Sequence, residues 1–279
     1  MFDLDEQKMQ KIVSSFQIPV KPQVLTNIQR LMSEEFPDIN HISHEISKDV
    51  GLSSAILKII NSPLYGMNRR ISEIKQAAMM LGLKTIEGLV TALLLKQSFS
   101  GDASISLERF WDDALDTANA MHFIGDRVKS DVPVDMLFTI GLFHDCGIPL
   151  LALKYNDYKD VLIRANDRNE NPIAHEEKAY NTNHAILGYF VATSWHLPRD
   201  ICQLILRHHD HTYIEQGTGD ANELAYCVLK AAENLTENVK RYANSPDWPH
   251  IHRDVLSTLG ISDEDYRDLV DDYMQVYEG

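Results

Sequence analysis

Apolar residues recur in this chain at three- and four-residue spacing, and no convincing run alternates with the two-residue period of a half-buried strand. That pattern makes the expected fold class all-α. Behind Pro22, Leu25, Ile28, Leu31 and Met32 form the first stripe. Proline suits a first helical turn because its missing N–H would lack an intrahelical partner anyway. Ile39, Ile42, Ile46 and Val50 give the next stripe, and Leu52, Ile56, Ile59 and Ile60 follow, ending at Asn61-Ser62-Pro63. Ser72 has the character of an N-cap ahead of Ile74, Ala77, Ala78 and Leu81, with Gly82 as the stop. Ile86, Leu89, Val90, Leu93 and Leu94 continue a compact set of about five short helices.

Gly101-Asp102-Ala103-Ser104 is small and polar and marks the expected boundary between residues 1–100 and 104–279. Beyond it, Phe110 through Val128 predicts a long helix. Pro133 opens another, over Met136 to Phe143, which delivers His144-Asp145 near its C-terminal end. Pro172, Asn183 and Pro198 start further helices, Thr212 to Asp220 reads as a loop, and Glu223 to Leu235 is helical again. The acidic last helix, Asp263 through Asp272, reads as a solvated face.

Composition narrows the function classes. No stretch reaches the about 18–20 consecutive apolar residues of a membrane span, and the longest candidate, Leu89 to Leu95, stops at Lys96. The acidic start, Met1-Phe2-Asp3-Leu4-Asp5-Glu6, is unlike a basic leader, so a cytoplasmic protein with no membrane partner is expected. A net charge of −15 repels phosphate backbones and disfavours nucleic acid. Cys146, Cys202 and Cys227 form no close pair and read as buried thiols.

The 12 histidines are unevenly placed. His144-Asp145 ends one helix, His184 opens another, and His208-His209 ends the next. Helix ends can converge, so Asp145, His184 and His208 or His209 form a plausible inward-facing site. Imidazole with carboxylate suits Mn, Fe, Zn, Ni or Co. The structural alternative is a buried polar network that keeps helices in register. His41, His44, His122, His175, His196, His250 and His252 are read as ordinary core residues.

Several motifs carry a family resemblance. Phe16 to Pro22, Glu45 to Leu52, Leu57 to Gly66 with its Asn-Ser-x-x-Tyr-Gly signature, and Ala77-x-x-x-Leu81-Gly82 resemble the N-terminal half of an HDOD domain. Phe110-Trp111, Leu142-Phe143-His144-Asp145-x-Gly147 and Trp195-x-Leu197-Pro198 continue it, over roughly residues 10 to 240. The resemblance implies two helical lobes, an N-terminal bundle followed by one related to the HD metal-dependent phosphohydrolases. It implies a bacterial signalling context, and most members of the family are not established enzymes.

Residue by residue, the resemblance implies an incomplete centre. His144, Asp145, His184, His208 and His209 match metal-ligand positions. The first histidine of active HD proteins is matched here by Asp113, and the last aspartate by Ala232, with Glu233 one position and about 100° away. Ile148 stands where the lysine of the HD-x-G-K pattern would be, and no Gly-Tyr-Pro motif follows His208-His209. The expected function is therefore a non-catalytic signalling protein that binds a protein or small ligand. The alternative is a metal-dependent phosphohydrolase with an altered site. The Asn61-to-Gly66 segment itself is expected to be a structural turn.

Overall fold

The computed structural model describes residues 14–62, 65, 69–128, 132–167, 170, 172–215 and 217–278. The acidic start and Pro63, Leu64 and Gly66 lie outside them. Among the described residues the secondary structure is helical throughout, with no strand. The first lobe comprises α1 (Gln23–Met32), α2 (Ile39–Ser47), α3 (Val50–Ile60), α4 (Ile74–Leu81) and α5 (Leu83–Ser98). The second begins with α6 (Leu107–Arg127), α7 (Val134–Phe143), α8 (Ile148–Lys154), α9 (Tyr158–Asp167) and α10 (Pro172–Tyr180). It continues with α11 (His184–Ser194), α12 (Arg199–Arg207), α13 (Thr212–Glu215), α14 (Ala221–Arg241), α15 (Trp248–Leu259) and α16 (Asp263–Glu278).

The caps explain where these helices start. Asp49 accepts from the Leu52 N–H at 2.9 Å to open α3, and Asp220 accepts from Asn222 and Glu223, both at 2.9 Å, to open α14. Gly82 ends α4 with φ 82°, a conformation natural to glycine, and the chain turns at once into α5. α6 is the central element: it packs against α7 on one side and α14 on another, while α7 also touches α5 and ties the two lobes together. Trp195, fully buried, adds a second tie by donating its indole N–H to the Pro19 carbonyl at 2.8 Å.

Some expectations are corrected. Glu73, not Ser72, occupies the N-cap position of α4, and it makes no side-chain cap bond. Val50 leaves the stripe of Ile42 and Ile46: it opens α3 and is 77% exposed. The Thr212-to-Asp220 loop contains the single turn α13, and α14 runs past Leu235 to Arg241. The seven histidines read as core residues are exposed or half-buried, and none is buried. By length and composition Val134–Lys154 (21 residues, with an 18-residue window of mean hydropathy 1.7) is apolar enough to cross a membrane, although it holds no long uninterrupted apolar run. In the fold 78% of that window is buried among the other helices.

Asn61, at the described start of the Asn61-to-Gly66 segment, has a structural role. Its side-chain amide donates to the carbonyls of Leu57 and Ile71 at 2.7 and 2.8 Å, and its oxygen accepts from the Ile71 N–H at 2.7 Å.

Candidate metal centre

Backbone contacts bring the centre together. Gly141, in the last turn of α7, lies against α6 so closely that a Cβ there would stand 2.7 Å from the Ala118 nitrogen. His144 follows as the C-cap, its N–H donating to the Ile140 carbonyl at 2.9 Å. The chain then turns through Asp145, Cys146 and Gly147 into α8. A Cβ on Gly147 would collide with the His184 carbonyl and stand 2.6 Å from the Gly188 nitrogen. The absence of that Cβ lets the first turn of α11 rest on the His-Asp turn. α11 starts there because Asn183 caps it, accepting from the Ile186 N–H at 2.9 Å. His208 and His209 sit just past α12, where Arg207 pairs with Asp210 at 2.9 Å.

Asp145, His184, His208 and His209 form a four-residue cluster whose donor atoms all lie within 4.8 Å of one another. Asp145 Oδ1 stands 3.3 Å from His184 Nε2 and 3.2 Å from His208 Nε2. His184 Nε2 is 3.3 Å from His208 Nε2 and 3.0 Å from His209 Nε2. The far ring nitrogens of two of these histidines are anchored. His208 Nδ1 faces the Ile205 carbonyl at 2.7 Å, and His184 Nδ1 faces the Glu176 carboxylate at 2.8 Å. Carbonyl and carboxylate oxygens only accept, so each Nδ1 carries the proton and, in the neutral ring, Nε2 presents a lone pair. Lone pairs this close repel unless a cation lies between them. Ligands about 2.0–2.1 Å from a metal stand about 2.9–3.4 Å apart, so this donor set fits a divalent ion.

His144 stands apart from that cluster. Its Nε2 faces the other carboxylate oxygen, Asp145 Oδ2, at 3.2 Å, and its Nδ1 faces the Gly141 carbonyl at 2.8 Å. Burial opposes a charge on His144, but the Asp145 and Glu233 carboxylates hold its pKa up at about 9. Burial also raises Asp145, while His144, His208 and His184 draw it well below the usual carboxylate range. For His184 burial is outweighed by Glu176 and Asp145, and its pKa rises. Burial prevails at His208 and His209, whose pKa values fall, leaving them neutral at pH 7.

On the His144 side the donors are already engaged. Glu233 does turn toward the site, with Oε1 3.9 Å from His144 Nε2, across the one helical step that separates it from position 232. A glutamate side chain is long enough to reach back across that angle. Its second oxygen, however, pairs at 3.0 Å with Lys230, a fully buried ammonium that also reaches Asp247 at 3.3 Å. Ala232 is buried and offers no donor. Asp113 is half-exposed and ion-paired with Lys240. Over the centre lies a cavity of about 610 Å³, lined by His144, Asp145, His209 and Ile148, with Arg109 and Lys159 in its wall.

Three participants escape sequence reasoning. Glu176 is fully buried eight positions before His184, accepting from the Tyr158 hydroxyl at 2.6 Å and from the His184 N–H at 2.8 Å. Asp247 faces His211 Nε2 at 3.4 Å and His209 Nδ1 at 3.8 Å. Lys230 had a readable signal: it falls on the same apolar helical face as Tyr226, Cys227 and Asn234, where an ammonium needs a buried partner. Cys146 is buried, its thiol bonded to the Gly188 carbonyl at 3.5 Å, and burial pushes its pKa far up, so it is an inert thiol.

An uncharacterized protein of Treponema pallidum (strain Nichols) is 26% identical over 200 residues, covering 69% of this chain and 38% of that protein. The matched stretch is thus well under half of that relative. An HDOD domain protein of unknown function from Geobacter sulfurreducens superposes with a TM-score of 0.71 at 22% identity, covering 95% of this chain and 92% of that one. A candidate phosphohydrolase of Shewanella amazonensis SB2B gives 0.71 at 18% identity, covering 97% and 94%. The MmoQ response regulator of Methylococcus capsulatus str. Bath gives 0.51 at 22%, covering 91% and 98%. At these identities the solved structures show a shared fold. The HDOD domain model matches residues 18–211, more than half of the sequence, and the chain therefore belongs to the HDOD family.

Proposed function

We propose that this chain is a regulatory HDOD protein that holds one divalent metal ion and acts in signalling by binding, without turning over a phosphodiester. The observation that carries this reading is the asymmetry about Asp145. One carboxylate oxygen faces the His184 and His208 imidazoles, in a compact donor cluster that His209 completes. The other faces His144, beyond which Glu233 is shared with Lys230. Asp145, His184, His208 and His209 would hold the ion, with Mn, Fe, Zn, Ni and Co as the matching class. A bound ion of this kind supplies Lewis acidity, and hydrolysis through a two-metal clamp needs a second ion about 3.5–4 Å from the first. The protein's own groups do the positioning: Glu176 and the Ile205 carbonyl orient two imidazoles, and His144 fixes the far oxygen of Asp145. The partner would be a signalling protein or a small ligand, and the fold shared with a response regulator supports that context.

Metal analysis and activity assays on the same protein test the reading. The full chain, supplied in turn with Mn, Fe and Zn, should retain one equivalent, lost in Asp145→Ala and His208→Ala. Each loaded form should leave cyclic dinucleotides intact. A second reading, a metal-dependent phosphohydrolase with an altered site, draws on the 610 Å³ cavity that reaches Asp145 beside Arg109 and Lys159. Multiple turnovers abolished by Asp145→Ala would establish that reading instead.

A further inference from the structure

A second cavity, of about 430 Å³, lies on the other side of α6. One face of α6 lines the metal-side cavity with Asp113, Ala114 and Thr117, and another lines this one with Asp112, Leu115, Asp116 and Asn119. Ile59 and Leu89 from the first lobe and Tyr273 and Val276 from α16 close it, so it sits between the lobes. Its volume falls within the range of small-molecule sites, about 300–1,000 Å³, and its walls are mainly apolar.

Its polar groups are few and partly unsatisfied. Trp111, in the wall, is 5% exposed, and its indole N–H has no acceptor among the described residues. A buried donor without an acceptor is uncommon, but this nitrogen is itself too buried for an occupant of the cavity to reach, and the ring offers the cavity its apolar surface. Lys58 and Lys96 also line the cavity, and neither ammonium group makes an ion pair or hydrogen bond among the described residues. Of the two aspartates, Asp116 is engaged by Lys240 at 2.6 Å, while Asp112 is exposed and unpaired. The lining charges, Lys58 and Lys96 against Asp112 and Asp116, balance, and with Asp116 engaged by Lys240 the two ammonium groups are left to receive an anion.

We propose that this cavity binds an amphiphilic monocarboxylate. Its apolar body lies between the lobes against Trp111 and Leu93, and its carboxylate is taken by Lys58 and Lys96. Apolar walls select the body, the two unpaired ammonium groups select an anionic head, and neither depends on the metal centre.

Calorimetric titration of the full chain tests this, with decanoate as the acyl arm, 2-naphthoate as the aromatic arm, and decanol and decylammonium as controls, all below micellar concentration. One carboxylate of either arm should bind per chain, at least about tenfold tighter than both controls. Lys58→Gln combined with Lys96→Gln lies outside the core. It should weaken that binding about tenfold or more while leaving metal content and melting temperature unchanged. Leu93→Trp, which fills the cavity, should abolish it. Absence of saturable binding by both carboxylates overturns the proposal. So does equal binding of decanol or decylammonium, or carboxylate binding that survives these substitutions.

Discussion

Glu176 orders more of the centre than any metal-facing residue, because one buried carboxylate receives the Tyr158 hydroxyl, the His184 N–H and the His184 ring. Groups that orient a ligand imidazole typically contribute a factor of about 10–100 to metal affinity. Glu176→Gln should lower affinity by that factor, measured by competition with a chromophoric chelator. Asp247 gives a prediction in pH. Burial raises its pKa, but His209, His211 and Lys230 bring it well below the usual range. Stability from a depressed carboxyl is complete above its unfolded pKa of about 3.9 and is lost as pH falls. The stability deficit of Asp247→Asn should therefore be larger at pH 6 than at pH 3 by urea denaturation. His144-Asp145, His184 and His208-His209 were legible in the sequence because histidines at helix ends form a pattern. Glu176 was not, since one glutamate in a mostly exposed helix gives no sign that it is fully buried.

At the level of the elements, glycines decide the site. Gly147 puts the start of α8 against α11, and Gly141 puts α7 against α6, each through backbone that cannot retreat. Gly147→Ala should destabilise the protein by about 3 kcal/mol or more, since overpacking that moves backbone lies at the upper end of such costs. Differential scanning fluorimetry with urea midpoints would check it against Asp220→Ala, a lost cap expected to cost about 1 kcal/mol. Periodicity located α1 to α4 well, because each buries a single stripe, and it also placed α5 to α7, although those are buried on most sides. It passed over α8, α9 and α15. α8 has seven residues and is apolar nearly throughout, so no polar face marks its period. The N-terminus of α4 was misplaced by one residue because Ser72 has the right side chain but does not occupy the cap position.

For the whole molecule, the metal should act as a stabilising ligand. An ion at about 100 times its Kd adds about 2.7 kcal/mol, which for a chain of this size raises Tm by roughly 5 °C. Thermal scans with Zn or Mn, then with excess chelator, should show that rise and its reversal, and Asp145→Ala should show neither. The all-α class was legible throughout, and the family motifs cover most of the same span as the matched residues 18–211. The parts that decide chemistry on the His144 side, Lys230, Glu233 and Asp247, come from beyond that span. Their positions depend on how α14 docks onto α6 and α15 onto α14, which no local pattern records.

Lys240 draws one consequence from the double role of α6. Its ammonium bridges Asp113, in the wall of one cavity, and Asp116, in the wall of the other. A single charge thus answers to both chambers. If an occupant of one alters affinity in the other by some factor, thermodynamic reciprocity requires the same factor in return. Lys240→Met is then the substitution most apt to uncouple the chambers while leaving each able to fill.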